Sequence, residues 1–217
     1  MGISNELAYL LGALRDGNIQ IGKNRKGSYY YLEFISKSKE WLENLEKILE
    51  KLCGRKTTIR PLKKGNKIYW RLRLRNKDFI CWLKEFSQFK TPQSTWKLPK
   101  IDMNKENKIY YLSGFFDAEG YVSKSSNTGA WNIGIEHSWL GSRCYPLLHL
   151  KQILLELGIK SNKIVMKKKG RKTPLFRLRI TDKNSILKFC KIVKSFHPEK
   201  AKKLKIIYNY FLHTKAP

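Results

Sequence analysis

The sequence predicts an α+β fold built from two pseudo-symmetric αββαββα halves, and three observations lead there. Hydrophobic spacing switches between the helical period and the strand period in the same order twice along 217 residues. Two long segments in the first half have counterparts in the second. Each half also opens on an apolar, small-residue-rich helix that ends with an acid followed by glycine. The halves are read as residues 1–89 and 108–217, the second with an added tail helix, joined by a linker at 90–107.

In the first half, Leu7, Leu10, Leu11 and Leu14 recur at helical spacing over residues 5–16, and Gly17 is the stop signal. Ile19 and Ile21 then alternate with polar residues, and "SYYYLEFIS" returns across a loop at Asn24–Gly27 to make a hairpin. Residues 38–53 form an amphipathic helix with Trp41, Leu42, Leu45, Ile48, Leu49 and Leu52 inward, ended by Gly54. A second hairpin turns at Gly65-Asn66, and a third helix runs from about Asp78 to Phe89. In the second half, "KIYYLSGFFDAE" is a helix stopped by Gly120, and "YVSKS" and "WNIGIEH" are strands. "LLHLKQILLELG" answers "LENLEKILEKLCG", pairing Leu45 with Leu150, Ile48 with Ile153 and Leu52 with Leu157. "FRLRITDKNSI" answers "WRLRLRNKDFI", so Arg71 and Arg73 recur as Arg177 and Arg179. The linker is rich in Pro, Lys and Asn and has neither period. The tail helix, residues 198–212, has no counterpart in the first half.

Charge narrows the partner. Lys and Arg number 45 against 17 Asp and Glu, a formal net charge of +28, which suits a polyanion because each neutralised phosphate releases a condensed counterion. A solvated lysine surface or a ribosomal-type RNA binder shares that composition. Cys53, Cys81, Cys144 and Cys190 lie far apart, without Cys-x-x-Cys or a His at zinc spacing, which argues against a disulfide framework and a zinc site. The N-terminal apolar run is too short for a membrane span and lacks the marks of a signal peptide, so the chain reads as intracellular, in a prokaryotic cytoplasm or an organelle matrix, with no membrane partner.

Against that background the acids stand out. Asp16 and Glu119 each occupy the last helical position before a glycine. A helix C-terminus already carries partial negative charge, so an acid there costs roughly 0.3–1 kcal/mol. Asp-Gly or Glu-Gly alone is an ordinary turn signal, but the same arrangement recurs at matching places in the repeat. Ala8, Gly12 and Ala13 in one segment and Ser113, Gly114 and Ala118 in the other are small enough for two helix backbones to approach closely. If they pack as the symmetry axis, Asp16 and Glu119 meet, and two carboxylates at close range call for a cation between them. A hard ion such as Mg²⁺ prefers carboxylate oxygens and suits phosphodiester hydrolysis.

"LSGFFDAEG", Leu112 to Gly120, resembles the signature of the LAGLIDADG homing endonucleases, and "YLLGALRDG", Tyr9 to Gly17, looks like a first copy. In the first copy Gly12 is one residue closer to its acid than Gly114 is, and Arg15 stands where a small residue is usual. The resemblance covers nearly the whole chain. It implies a monomer with the signature helices packed at the centre and antiparallel sheets forming a DNA-binding saddle. It further implies metal-dependent cleavage of both strands of a long, asymmetric, pseudo-palindromic duplex site with short 3′ overhangs, and an origin in a mobile intron or intein. The metal would be Mg²⁺, with Mn²⁺ or Ca²⁺ substituting in binding, held at Asp16, Glu119, Gly17 and Ala118. Lys39 and Arg143, at equivalent places, would be the basic residues around the catalytic acids. Asp117 matches an earlier Asp of the signature and is given a structural role. An intron RNA maturase on the same fold, with intron RNA as partner, is the alternative; a DNA-binding regulator is a further rival.

The strands supply the reading surface. In "YWRLRLR", Trp70, Leu72 and Leu74 face one way and Arg71, Arg73 and Arg75 the other; Arg177 and Arg179 repeat the pattern. Such a row repels itself unless an anion lies over it. By resemblance these strands enter the major groove. Lys37 is a further candidate for DNA contact, and Lys63, Lys67, Lys167 and Lys169 at the hairpin tips suit phosphate contact and plain solvation equally. His137 lies near the candidate DNA surface, but with no metal-spaced partner it is grouped with His149, His197 and His213 as an ordinary surface or half-buried residue.

Overall fold

The computed structural model describes residues 3–25, 27–87, 102–126, 128–168 and 173–213. Most of the expected linker and Lys169 lie outside them. The first half runs α1 (Asn5–Ala13), a 3₁₀ turn (Leu14–Asp16), β1 (Gly17–Asn24), β2 (Gly27–Ser36), α2 (Lys39–Cys53), β3 (Thr58–Lys64), β4 (Lys67–Leu74) and α3 (Lys77–Ser87). The second runs α4 (Lys105–Glu119), β5 (Gly120–Lys124), β6 (Trp131–Ser138), α5 (Tyr145–Glu156), β7 (Val165–Lys168), β8 (Leu175–Ile180) and α6 (Lys183–Ile192), followed by α7 (Pro198–His213). The halves make separate four-stranded antiparallel sheets with the same strand order, β1-β2-β4-β3 and β5-β6-β8-β7. α4 begins at Lys105, inside the stretch read as linker, because Asn104 caps it by accepting from the Asn107 N–H at 2.9 Å.

Each sheet is amphipathic through the period of two. Leu32, Phe34, Leu72 and Leu74 are buried under Trp41, Leu42, Leu45 and Leu49 of α2 and Ile80 and Leu83 of α3. Ile133, Ile135, Phe176, Leu178 and Ile180 sit likewise under α5 and α6. The opposite faces keep their arginines toward solvent.

Between the halves α1 packs against α4, and glycine decides how closely. A Cβ built on Gly114 would lie 2.0 Å from the Tyr9 carbonyl oxygen, and one on Gly12 2.2 Å from that of Tyr111. The backbones therefore touch, as the small residues predicted. The two glycines after the acids have another reason. Gly17 and Gly120 are extended, φ −87° and −86°, rather than left-handed helix stops. A Cβ on Gly120 would strike the Phe116 ring at 2.1 Å, and one on Gly17 would meet the Phe34 ring at 3.0 Å. Here glycine provides room rather than freedom of φ.

The one-residue difference between the two signature segments is absorbed locally. α1 ends at Ala13 and tightens into the 3₁₀ turn, whereas α4 stays α-helical to Glu119. Three 3₁₀ residues advance about as far as four α-helical ones, so both acids stand about 7.5 Å along the axis from their contact glycines.

Candidate active site

Asp16 and Glu119 sit at the paired C-terminal ends of the 3₁₀ turn and α4. Their fields overlap: the Asp16 carboxyl is pushed up to about 7, first by desolvation and then by the negative charge of Glu119, with Lys200 opposing. Asp16 is crowded by protein on one side while its surface remains exposed on the other, so solvent screens part of this effect and a ligand has access. Glu119 is less open, its side chain 29 % exposed, because His137 lies against it.

His137 is the first correction to the sequence reading. It is neither a surface histidine nor a half-buried one: only 3 % of its side chain is exposed, and its Nδ1 is 3.2 Å from Glu119 Oε1. Burial is the largest influence and lowers its pKa, so the ring is neutral and Nδ1–H donates to the carboxylate. β6 places it there by alternation: Ile133, Ile135 and His137 share the inner face, and the ring lies edge-on to Phe115 at 5.7 Å. In the other sheet the residue at the equivalent register is Ser36, opposite Trp70 as His137 is opposite Phe176. The Ser36 hydroxyl accepts from the Ser38 N–H. The two acids therefore have unlike second partners.

Lys200 is the second residue that sequence reasoning missed. It comes from the tail helix α7, and its Nζ donates to the carbonyls of Phe116 at 3.0 Å, Asp117 at 2.6 Å and Ala118 at 3.4 Å. The Phe116 carbonyl also accepts the Gly120 N–H, while those of Asp117 and Ala118 lie past the last backbone bond of α4, so the ammonium offsets the negative helix terminus on which Glu119 stands. Desolvation lowers the Lys200 pKa to about 8, against the opposing charges of Asp117, Asp16 and Glu119. No repeat pattern could have flagged it, because α7 has no partner in the first half.

Asp117 explains how the tail arrives. It is buried, and Oδ2 accepts from Tyr9 Oη at 2.6 Å, the Phe196 N–H at 2.7 Å and the His197 N–H at 3.2 Å, while Oδ1 accepts from Ser195 Oγ at 2.5 Å. Desolvation raises its pKa and these hydrogen bonds oppose the rise. Trp41 Nε1–H in turn donates to Tyr9 Oη at 2.9 Å, and the Asn44 amide to the Phe196 carbonyl at 2.9 Å. Asp117 thus ties α1, α2 and α4 to the loop that delivers Lys200, the structural role expected of it.

The remaining site residues are distributed as follows. Gly17 is buried beside the Phe34 ring, and its N–H donates to the Leu14 carbonyl. The Ala118 carbonyl meets Lys200. Lys39 pairs with Glu43 at 2.9 Å and lies over the Trp70 ring at 5.3 Å, while Arg143 is exposed on the segment before α5. Lys37 is exposed, with its Nζ 5.9 Å from the Tyr69 ring centroid. Lys63, Lys67 and Lys167 are exposed at the hairpin ends. Arg71, Arg73, Arg75, Arg177 and Arg179 lie on the outer faces. Part of that row is neutralised within each sheet by a carboxylate. Glu33 on β2 takes Arg73, Nε at 2.8 Å and Nη2 at 2.5 Å, with Arg71 3.8 Å away. Glu136 on β6 takes Arg177 at 2.7 Å and Lys167 at 3.0 Å.

Among the described residues no group of three or more His, Cys, Asp or Glu could hold a metal ion. Cys53, Cys81, Cys144 and Cys190 are free thiols, and no described helix is long and apolar enough to cross a membrane. Fold and site together define a single-chain pseudo-dimer, with one acid from each half at the shared end of two touching helices and a cationic sheet face on either side. Residues 106–194 match the LAGLIDADG-like domain family. Over 207 residues the chain is 31 % identical to homing endonuclease I-ApeI of Aeropyrum pernix, covering 91 % of this chain and 85 % of that protein. The crystal structure of I-DmoI in complex with DNA and Ca superimposes with a TM-score of 0.63 at 21 % identity, over 93 % of this chain and 98 % of that one. Homing endonuclease I-WcaI bound to its DNA recognition sequence gives 0.55 at 17 % identity, over 94 % and 88 %. The chain belongs to the LAGLIDADG homing endonuclease family.

Proposed function

We propose that this chain is a monomeric, site-specific homing endonuclease that binds a long asymmetric DNA duplex across its two sheets and cuts both strands with a divalent metal. The halves at 1–89 and 108–217 each read one half-site, and Asp16 and Glu119 hold the metal at the pseudo-dyad. One observation carries the reading: two helices in backbone contact at Gly12 and Gly114 each lead to an acid, and the charge of Glu119 helps to push Asp16 up to about 7. A carboxylate held beside a second one at such a cost is arranged for a cation.

The donor set fits a hard ion. Two carboxylates supply part of an oxygen shell, and water and substrate phosphate complete it, as Mg²⁺ prefers and as Mn²⁺ or Ca²⁺ can imitate. When bound, such an ion polarises a phosphoryl oxygen and lowers the pKa of water. The chain's own groups do the rest. His137 fixes Glu119 through Oε1, leaving Oε2 for coordination. Lys200, held on the carbonyls at the end of α4 and coupled to the charges of Asp16 and Glu119, supplies a positive charge that would offset the negative charge growing on the phosphate in the transition state. Lys39 and Arg143 are the outer basic groups, and Gly17 and Ala118 contribute backbone around the acids. Arg71, Arg73, Arg75, Arg177 and Arg179 face base edges, and Lys37, Lys63, Lys67 and Lys167 face phosphate, the role also given to Lys169, which lies outside the described residues. A DNA substrate puts the protein's work in a prokaryotic cytoplasm or an organelle matrix. Similarity to endonucleases over most of the chain, with an acid kept in both motifs, does not favour the RNA maturase alternative.

Asp16→Asn and Glu119→Gln test this directly. Each should retain target binding in a mobility-shift assay and abolish double-strand cleavage in Mg²⁺. Unimpaired linearisation by both variants would remove the acids from the reaction.

A further inference from the structure

We propose that Glu33 and Glu136 are specificity-determining residues, internal counter-ions that hold one arginine in each sheet as a rigid base reader and keep it off phosphate. This rests on the reading of the sheets as the DNA-binding face. Two carboxylates on that face are unexpected, since each repels the phosphates the surface has to approach.

Both acids stand directly opposite their arginines across an antiparallel pair, Glu33 with Arg73 on β2 and β4 and Glu136 with Arg177 on β6 and β8. By alignment of β4 with β8, Arg73 corresponds to Arg179 and Arg71 to Arg177. The acid therefore sits two register pairs further along in one half than in the other, at the next position on the same face. Neither is a remnant of the repeat, yet each half has one.

The geometry leaves the reading end of the guanidinium open. Arg73 spends Nε and one proton of Nη2 on Glu33 Oε2 and lies over the Tyr31 ring, its guanidinium carbon 4.4 Å from the centroid. Arg177 spends only Nε on Glu136 Oε1. In both, Nη1 and Nη2 still present the two outward protons that match guanine O6 and N7. The backbone side of the fork is fixed before DNA arrives, so little side-chain entropy is lost on binding. An arginine without such a partner swings to the nearest phosphate and carries affinity without sequence information.

The test uses Glu33→Gln and Glu136→Gln in the full chain, with thermal melting as the control for folding. Dissociation constants are measured on the target duplex and on a random duplex across a range of salt. Removing one negative charge should tighten random-duplex binding about fivefold and make its salt dependence steeper by about one counterion. The ratio of random to target dissociation constants should fall about tenfold, the size of one bidentate base contact. A ratio that stays at the wild-type value in both variants, with normal melting, overturns the proposal. Arg73→Ala separates the layers. If Glu33 acts through Arg73, adding Glu33→Gln to Arg73→Ala moves the ratio no further; a further fall of the same size overturns the positioning role. If instead Arg73→Ala and Arg177→Ala both leave target binding untouched, the sheets are not the reading surface, and it is the underlying functional reading that fails.

Discussion

Gly114→Ala is the sharpest test of the central interface. A new Cβ would stand 2.0 Å from the Tyr9 carbonyl oxygen and 2.9 Å from the Ala13 nitrogen, where ordinary contact begins at 3.4 Å. The shortfall against Tyr9 is 1.4 Å (3.4 less 2.0), and both obstacles are backbone atoms that cannot rotate aside. α1 and α4 must therefore separate, opening a gap that forfeits a quarter or more of the dispersion energy of each contact along the seam. Alanine's better helix propensity returns only about 1 kcal/mol, while overpacking costs about 3 kcal/mol or more when backbone is in the way. The net loss is about 2–3 kcal/mol, or about 5–10 °C in Tm for a chain of this size. Calorimetry or a fluorescence melt reads the stability, and plasmid linearisation in Mg²⁺ reads the site. Cleavage should fall further than the melt predicts at the assay temperature, because the acids separate with the helices. An unchanged or raised Tm would show that the helices do not touch at this glycine.

Other outcomes follow from the same geometry. Lys200→Met should slow Mg²⁺-dependent cleavage by about 10²–10³ at saturating metal with DNA affinity unchanged, and Lys200→Arg should recover part of the rate; wild-type cutting by the Met variant would exclude a role for the tail lysine. His137→Phe removes the donor to Glu119 Oε1, so half-saturating Mg²⁺ should rise about tenfold and nicked DNA should accumulate, because the acid of the other half has no such donor. His137→Asn should restore part of both, and identical metal titrations for the Phe variant and wild type would remove the histidine from the site. Asp16 protonates at about 7 in the metal-free protein, so Mg²⁺ uptake at pH 6 should release close to one proton and at pH 8.5 almost none, read by calorimetry in buffers of different ionisation enthalpy. Because the folded carboxyl has a pKa above its unfolded value of 3.8, the folded state holds this proton more tightly. Its contribution to stability is therefore fully present below pH 4 and is lost as pH rises through 7, a slope that saturating Mg²⁺ should remove.

Much of this molecule was determined by the sequence alone. The switch between periods marked the elements, the doubled order marked two halves, Gly12 and Gly114 marked a close helix seam, and the strict alternation in "YWRLRLR" marked a cationic outer face. These are local properties, since a side chain's direction within one helix or strand depends on its own backbone period. What tertiary structure alone decided involves partners far apart in the chain. Glu33 meets Arg73 because β2 pairs with β4 in one register, and His137 meets Glu119 because β6 lies under α4. Lys200 reaches the carbonyls of α4 across more than 80 residues because Asp117 anchors the loop before α7. The first motif's missing residue is made good by a 3₁₀ turn at Leu14–Asp16, where α4 stays α-helical to its acid. Register, docking and helix tightening are chosen by the energy of the whole packed interface, which no single segment carries.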